Sequence, residues 1–103
     1  MDNFNKLYEA AMKKGDYVLY HDTYTSAVDS AIDFAVRNGY TTDAEERAQI
    51  IGFNSSRPKN GQTEKVTLPL YKGEKLQRKA LHFQVYNRGL SSGNTFELNT
   101  YIG

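Results

Sequence analysis

The stretch KALHFQVYNRG, residues 79–89, decides the fold. Read with a period of two, it divides into two faces. Leu81, Phe83 and Val85 point one way, and Ala80, His82, Gln84 and Tyr86 point the other. Side chains alternate across a strand, so the first set builds a core and the second lines a separate surface. One apolar and one polar face mark an antiparallel sheet that is covered on one side only. An imidazole, an amide and a phenol standing in a row on the polar side pose the functional question.

The flanking sequence keeps this period. In EKVTLPLY, residues 64–71, Val66, Leu68 and Leu70 share one face, and Pro69 lacks the N–H that a central strand uses, which predicts an edge strand. KGEK (72–75) reads as a turn and NRGLSSGN (87–94) as a loop. TFELNTYI (95–102) is a last strand with Phe96, Leu98, Thr100 and Ile102 inward. Upstream, GFNSSRPKNGQ (52–62) is crowded with turn formers. Before it the period changes to 3.6.

TYTSAVDSAIDFAVRNGY (23–40) is the clearest helix. Thr25 or Ser26 can cap it, Asp29 lies near its positive end, and Asn38-Gly39 stops it. Ala27, Val28, Ala31, Ile32, Phe34, Ala35 and Val36 leave only a narrow stripe of Asp29, Asp33 and Arg37, which predicts a core helix packed on more than one side. Thr42 or Asp43 can cap a further helix, DAEERAQIIGF. Asn3 to Lys14 has helical spacing too, with Phe4, Leu7, Tyr8, Ala11 and Met12 on one face and Gly15 at its end. DYVLYHD (16–22) fits either an extended piece or a buried connector. The expectation is a single α+β domain over residues 1–103. About three helices in the N-terminal half pack on a three-stranded antiparallel β-meander in the C-terminal half.

Bulk properties agree. The 103 residues are 39% hydrophobic and 24% charged, ordinary for one globular domain with a thin core. No apolar run approaches the roughly 20 residues of a membrane span. The first fifteen residues are charged and amphipathic, unlike a signal peptide, so a cytoplasmic protein is expected. With no cysteine there is no disulfide, thiolate metal site or cysteine nucleophile. The net charge of +1 hides an asymmetry. Residues 1–51 hold five basic and nine acidic side chains, a balance of −4, and residues 52–103 hold eight basic and three acidic, a balance of +5. A basic half invites an anionic partner; lysine on strand edges is the plain alternative.

If the last two strands pair, His82, Gln84 and Tyr86 share a surface with Glu97, Asn99 and Tyr101, with Arg78 and Arg88 near its ends and Lys65, Thr67 and Tyr71 on the neighbouring strand. The basic loop Arg57–Lys59 flanks it. Rings, amides and cations stack and hydrogen-bond, as a binding surface must. The partner expected is another protein first, nucleic acid second, with self-association through the acidic and basic halves a further possibility. Catalysis is not expected, nor is a cofactor or metal. His21 beside Asp22, or His82 facing Glu97 across the hairpin, could exchange protons, but the serines lie in caps and turns, and no ligand spacing points to a metal.

YTSAVDSA, RPKNGQT, KLQRKALHFQVYNRG and FELNTYI together resemble a group of small proteins of tailed bacteriophages. The likeness spans roughly residues 17–102. It implies a phage accessory protein in the cytoplasm of the infected bacterium, or a component of the virion. It implies no mechanism and no catalytic residue.

Overall fold

A computed structural model describes residues 17–52 and 57–103. The expected first helix, Asn3 to Lys14, lies outside the described residues. The described chain runs β1 (Tyr20–His21), α1 (Tyr24–Arg37), α2 (Ala44–Gly52), β2 (Thr63–Lys72), β3 (Lys75–Asn87) and β4 (Phe96–Ile102). The strands make one antiparallel sheet in the order β1-β4-β3-β2. The α+β class and the β2-β3-β4 meander stand as expected. The sheet, however, has four strands rather than three. Tyr20 and His21, from DYVLYHD, pair with Glu97 and Phe96 on the free edge of β4. Two residues are too few to show a period. Their pairing is held instead by the Leu98 N–H donating to the Leu19 carbonyl at 2.7 Å and by the buried His21.

The inward set of β3 is buried as the alternation requires. Leu81, Phe83 and Val85 meet Leu68 and Leu70 of β2 and Leu98 of β4. Across them lies α1, with Tyr24, Ala27, Val28, Ala31 and Ala35 buried and the helix resting on β3 and β4. Ala27, Ala31 and Ala35 recur every four residues, so the buried face carries only methyl groups beyond Tyr24 and Val28 in its first turns. Each large apolar side chain sealed here contributes about 1.5–3 kcal/mol relative to exposure.

Two helix details differ from expectation. The N-cap is Thr23, whose Oγ1 accepts from the Ser26 N–H at 3.1 Å, not Thr25 or Ser26. The helix starts early because Tyr24 enters the core from its first turn. Nor is α1 sealed on several sides. Val36 is exposed and Ile32 and Phe34 are half-buried, because the short, charged α2 rests on α1 without burying a residue of its own. Asp43 does cap α2, its Oδ1 accepting from the Glu45 N–H at 2.8 Å. Asp33 pairs with Arg37 at 2.8 Å as the spacing predicts, and Asp29 reaches Arg47 of α2 at 2.7 Å.

β2 is an outer strand, which accommodates Pro69. Gly73, at φ +62°, takes the first central position of the two-residue β2–β3 turn, where hairpins favour glycine. A register irregularity between Pro69 and Tyr71 lets Tyr71 turn to Thr41, and their backbones exchange hydrogen bonds of 2.8 and 2.9 Å.

Candidate functional site: the outer face of the sheet

With α1 on the inner face, the register arranges the outward side chains in three rows running across the strands. The first is Thr67–His82–Tyr101, the second Lys65–Gln84–Asn99, and the third Thr63–Tyr86–Glu97–Tyr20. Adjacent rows lie about 7 Å apart along the strand. The structure therefore brings six sequence-predicted residues, His82, Gln84, Tyr86, Glu97, Asn99 and Tyr101, onto one surface.

In the first row the His82 and Tyr101 rings stack with centroids 4.8 Å apart and planes 21° from parallel. His82 Nε2 lies 3.0 Å from the Gly103 carbonyl oxygen, which only accepts, so Nε2 carries the proton. Nδ1 then accepts from the Thr67 hydroxyl at 3.1 Å. The ring is fixed and both nitrogens are engaged. The His82–Glu97 pairing that the hairpin could have allowed does not form. His82 stands opposite Tyr101, and Glu97 stands opposite Tyr86, two rows away.

The second row holds amides. Gln84 and Asn99 lie side by side with Lys65 at the β2 edge, and no hydrogen bond engages the two carboxamides among the described residues. This row floors a depression of about 260 Å³ lined by Lys65, Val66, Thr67, His82, Phe83, Gln84, Asn99 and Tyr101. That is smaller than the roughly 300–1,000 Å³ of sites that engulf a drug-sized ligand. It suits one planar group of a larger molecule.

In the third row Glu97 lies between Tyr86 and Tyr20, and the Arg88 guanidinium sits 4.6 Å from the centroid of the Tyr20 ring. Tyr20 was missed from the sequence because its strand is two residues long. The alternation of Tyr20 and His21, one out and one in, was its only signal. The rings are available: Tyr20, Tyr86 and Tyr101 keep 39%, 37% and 42% of their surface exposed.

Arg57 and Lys59 flank this end of the sheet. The buried Asn87 donates from Nδ2 to the Pro58 carbonyl at 3.1 Å and accepts from the Gly89 N–H at 2.9 Å, so one side chain ties the 57–62 loop to the loop that carries Arg88. The Gly61 N–H donates to the Asn87 carbonyl at 2.8 Å and the Asn87 N–H to the Gln62 carbonyl at 3.0 Å, which completes the clamp.

His21 has a structural position. Nε2 donates to the Val18 carbonyl at 2.7 Å, and Nδ1 accepts from the Ser26 hydroxyl at 2.6 Å. It is not paired with Asp22, which instead accepts from the Asn94 N–H at 2.7 Å. Neither imidazole leaves a nitrogen unengaged, and no group of three or more potential metal ligands occurs among the described residues. Burial, together with the Glu64 carboxylate and against the opposing Arg57 charge, pushes the Tyr24 phenol from 10.0 up to about 12. No described helix is long and apolar enough to cross a membrane.

Comparison with protein-family models, curated proteins and solved structures found no match.

Proposed function

We propose that the protein works without catalysis, by binding another macromolecule through the outer face of its sheet. One observation carries this reading: three rows of rings, amides and cations stand together on the face opposite α1, with the Gln84 and Asn99 carboxamides unengaged. Solvated strand faces are rich in Thr and Gln as well, but three exposed tyrosine rings in register with a pair of amides make a surface that can both stack and read hydrogen bonds. The resemblance to small tailed-phage proteins supports placing this activity in an infected bacterium or in the virion. Head-to-tail contact between copies is the weaker reading, since Asp29 and Asp33 of the acidic half are already paired with Arg47 and Arg37.

The test is capture from bacterial lysate by tagged protein, with and without nuclease, beside the double variant Tyr86→Ala/Tyr101→Ala. Loss of these half-exposed rings removes cross-strand contacts worth about 0.2–1 kcal/mol each, so the variant stays folded. A partner held by the parent and lost by the variant supports the reading. A partner held equally by both overturns it.

A further inference from the structure

The charge pattern and the spacing of the rows name the partner's class. The carboxylates of the helical layer are largely spoken for: Asp29 and Asp33 are in ion pairs, Asp22 binds the Asn94 N–H and Asp43 caps α2. The sheet half is different. Of its eight basic side chains, none has a carboxylate within ion-pair distance among the described residues. Lys72 rests against the Tyr40 ring and Arg88 against the Tyr20 ring. Arg88 stands at one end of the outer face, Lys65 at its middle, and Lys75, Arg78 and Lys79 at the β2–β3 hairpin end, whereas the 57–62 loop is held by the inward-facing Asn87 and Arg57 acts on the buried Tyr24, on the helix side of the sheet. Glu97 is the single carboxylate in the three rows. An uncompensated line of cations along a strand pair fits a flexible polyanion laid lengthwise.

The rows between the cations fit its bases. Stacked His82–Tyr101 forms one ring platform, and the exposed Tyr86 ring, roughly 13 Å along the strand, forms another. The unengaged amides of Gln84 and Asn99 floor the depression beside the first platform. Carboxamides match the donor–acceptor edges of nucleobases, and tyrosine rings accept the face of any base. Both need bases that are neither paired nor stacked in a duplex.

We propose that the outer face binds single-stranded nucleic acid, with bases stacked on the His82–Tyr101 pair and on the Tyr86 ring, the Gln84–Asn99 amides contacting a base edge, and Lys65 and Arg88 contacting phosphates. This rests on the reading of that face as a recognition surface and specifies its occupant.

The experiment is fluorescence anisotropy with labelled random-sequence single strands of about 15 nucleotides, DNA and RNA, near the upper site size of small single-strand-binding folds. A duplex of the same length and heparin serve as controls. Two phosphate contacts predict a loss of about sevenfold in affinity between roughly 50 and 200 mM salt, from the slope of about −0.7 per phosphate for single strands. Tyr86→Ala and Tyr101→Ala should each weaken binding by about tenfold or more, while Tyr86→Phe and Tyr101→Phe retain it. Lys65→Gln should weaken binding to all sequences alike and flatten the salt slope by about 0.7. The duplex should bind worse than either single strand. Equal affinity for duplex, heparin and single strand, indifferent to the tyrosine variants, would overturn the proposal in favour of a generic cationic surface. No binding to any oligonucleotide would overturn it too. In that case a nuclease-resistant partner still lost by Tyr86→Ala/Tyr101→Ala would preserve the recognition surface and make its partner a protein, and a partner held equally by the variant would remove both.

Discussion

Tyr24→Phe should make this protein more stable. Tyr24, the first residue of α1, is fully buried between the helix and the sheet, and its hydroxyl has no hydrogen-bond partner among the described residues. A buried polar group left unpaired costs about 1–3 kcal/mol, because the water it gave up is not replaced. Phenylalanine removes the oxygen and keeps the ring, including its edge contact with Phe96 at 6.2 Å between centroids. The packing is unchanged except for one missing atom, so a small void offsets part of the gain. The net expectation is about 1–2 kcal/mol, and at the entropy of unfolding of a domain this size that raises Tm by roughly 5–10 °C. A second readout separates the hydroxyl from any packing effect. The folded phenol titrates at about 12 against 10.0 unfolded, so the pKa is raised by folding. Below pH 10 the group is protonated in both states and its pH-dependent contribution is constant. Above pH 10 the unfolded chain loses the proton first, and stability falls through about pH 12. Thermal unfolding followed by circular dichroism at pH 7, 10 and 11.5 should therefore show the advantage of Tyr24→Phe widening with pH. A lower Tm for Tyr24→Phe at neutral pH would refute the reasoning, since it would mean that the hydroxyl is satisfied in solution.

The remaining expectations concern the supports of the outer face. His21→Ala removes two short hydrogen bonds from a buried ring and should cost about 2–4 kcal/mol in urea unfolding; hydrogen exchange at the Leu98 amide, which bonds to Leu19 beside β1, should speed up ahead of β3. Asn87→Ala breaks the clamp between the 57–62 loop and Gly89, with an expected cost of about 2–3 kcal/mol. It should also weaken partner binding without altering any side chain in the three rows, because Arg88, beside the Gly89 N–H that Asn87 holds, loses its position. Asp29→Asn opens a pair whose partners are both nearly half exposed, so the change in stability should stay under about 1 kcal/mol.

The part of the fold that a period can encode was legible. KALHFQVYN alternates cleanly because β3 is covered on one face only, and the same holds for Val66, Leu68 and Leu70. Pro69 fixed β2 as an edge strand through its missing N–H. The α1 boundary was displaced by two residues because Thr23, Thr25 and Ser26 all have capping side chains, and only the burial of Tyr24 chooses among them. The multi-sided packing of α1 failed for a different reason. Its composition is apolar nearly all round, but α2 is too short and too charged to cover the far side, so Val36 remains in water. Register was the least legible feature. The two-residue turn at Gly73-Glu74 pins Lys72 to Lys75, whereas residues 88–95 form a loop long enough to allow several alignments of β4. A slip of two residues keeps the same face outward, so the outer surface was foreseen as a set while its pairings were not. That is why the hairpin could have allowed Glu97 beside His82, whereas it stands beside Tyr86. The role of Asn87 was invisible, since nothing local distinguishes it from any asparagine at a strand end.

The central claim is that the outer sheet face, and not the helical layer, meets a single-stranded nucleic acid. The measurement that tests it most directly is an amide-detected NMR titration of the protein with a single strand of about 15 nucleotides. The account predicts shifts confined to Lys65, Thr67, His82, Gln84, Tyr86, Arg88, Asn99 and Tyr101, with α1 and α2 unmoved. Shifts centred on α1 or α2, or none at saturating oligonucleotide, would contradict it.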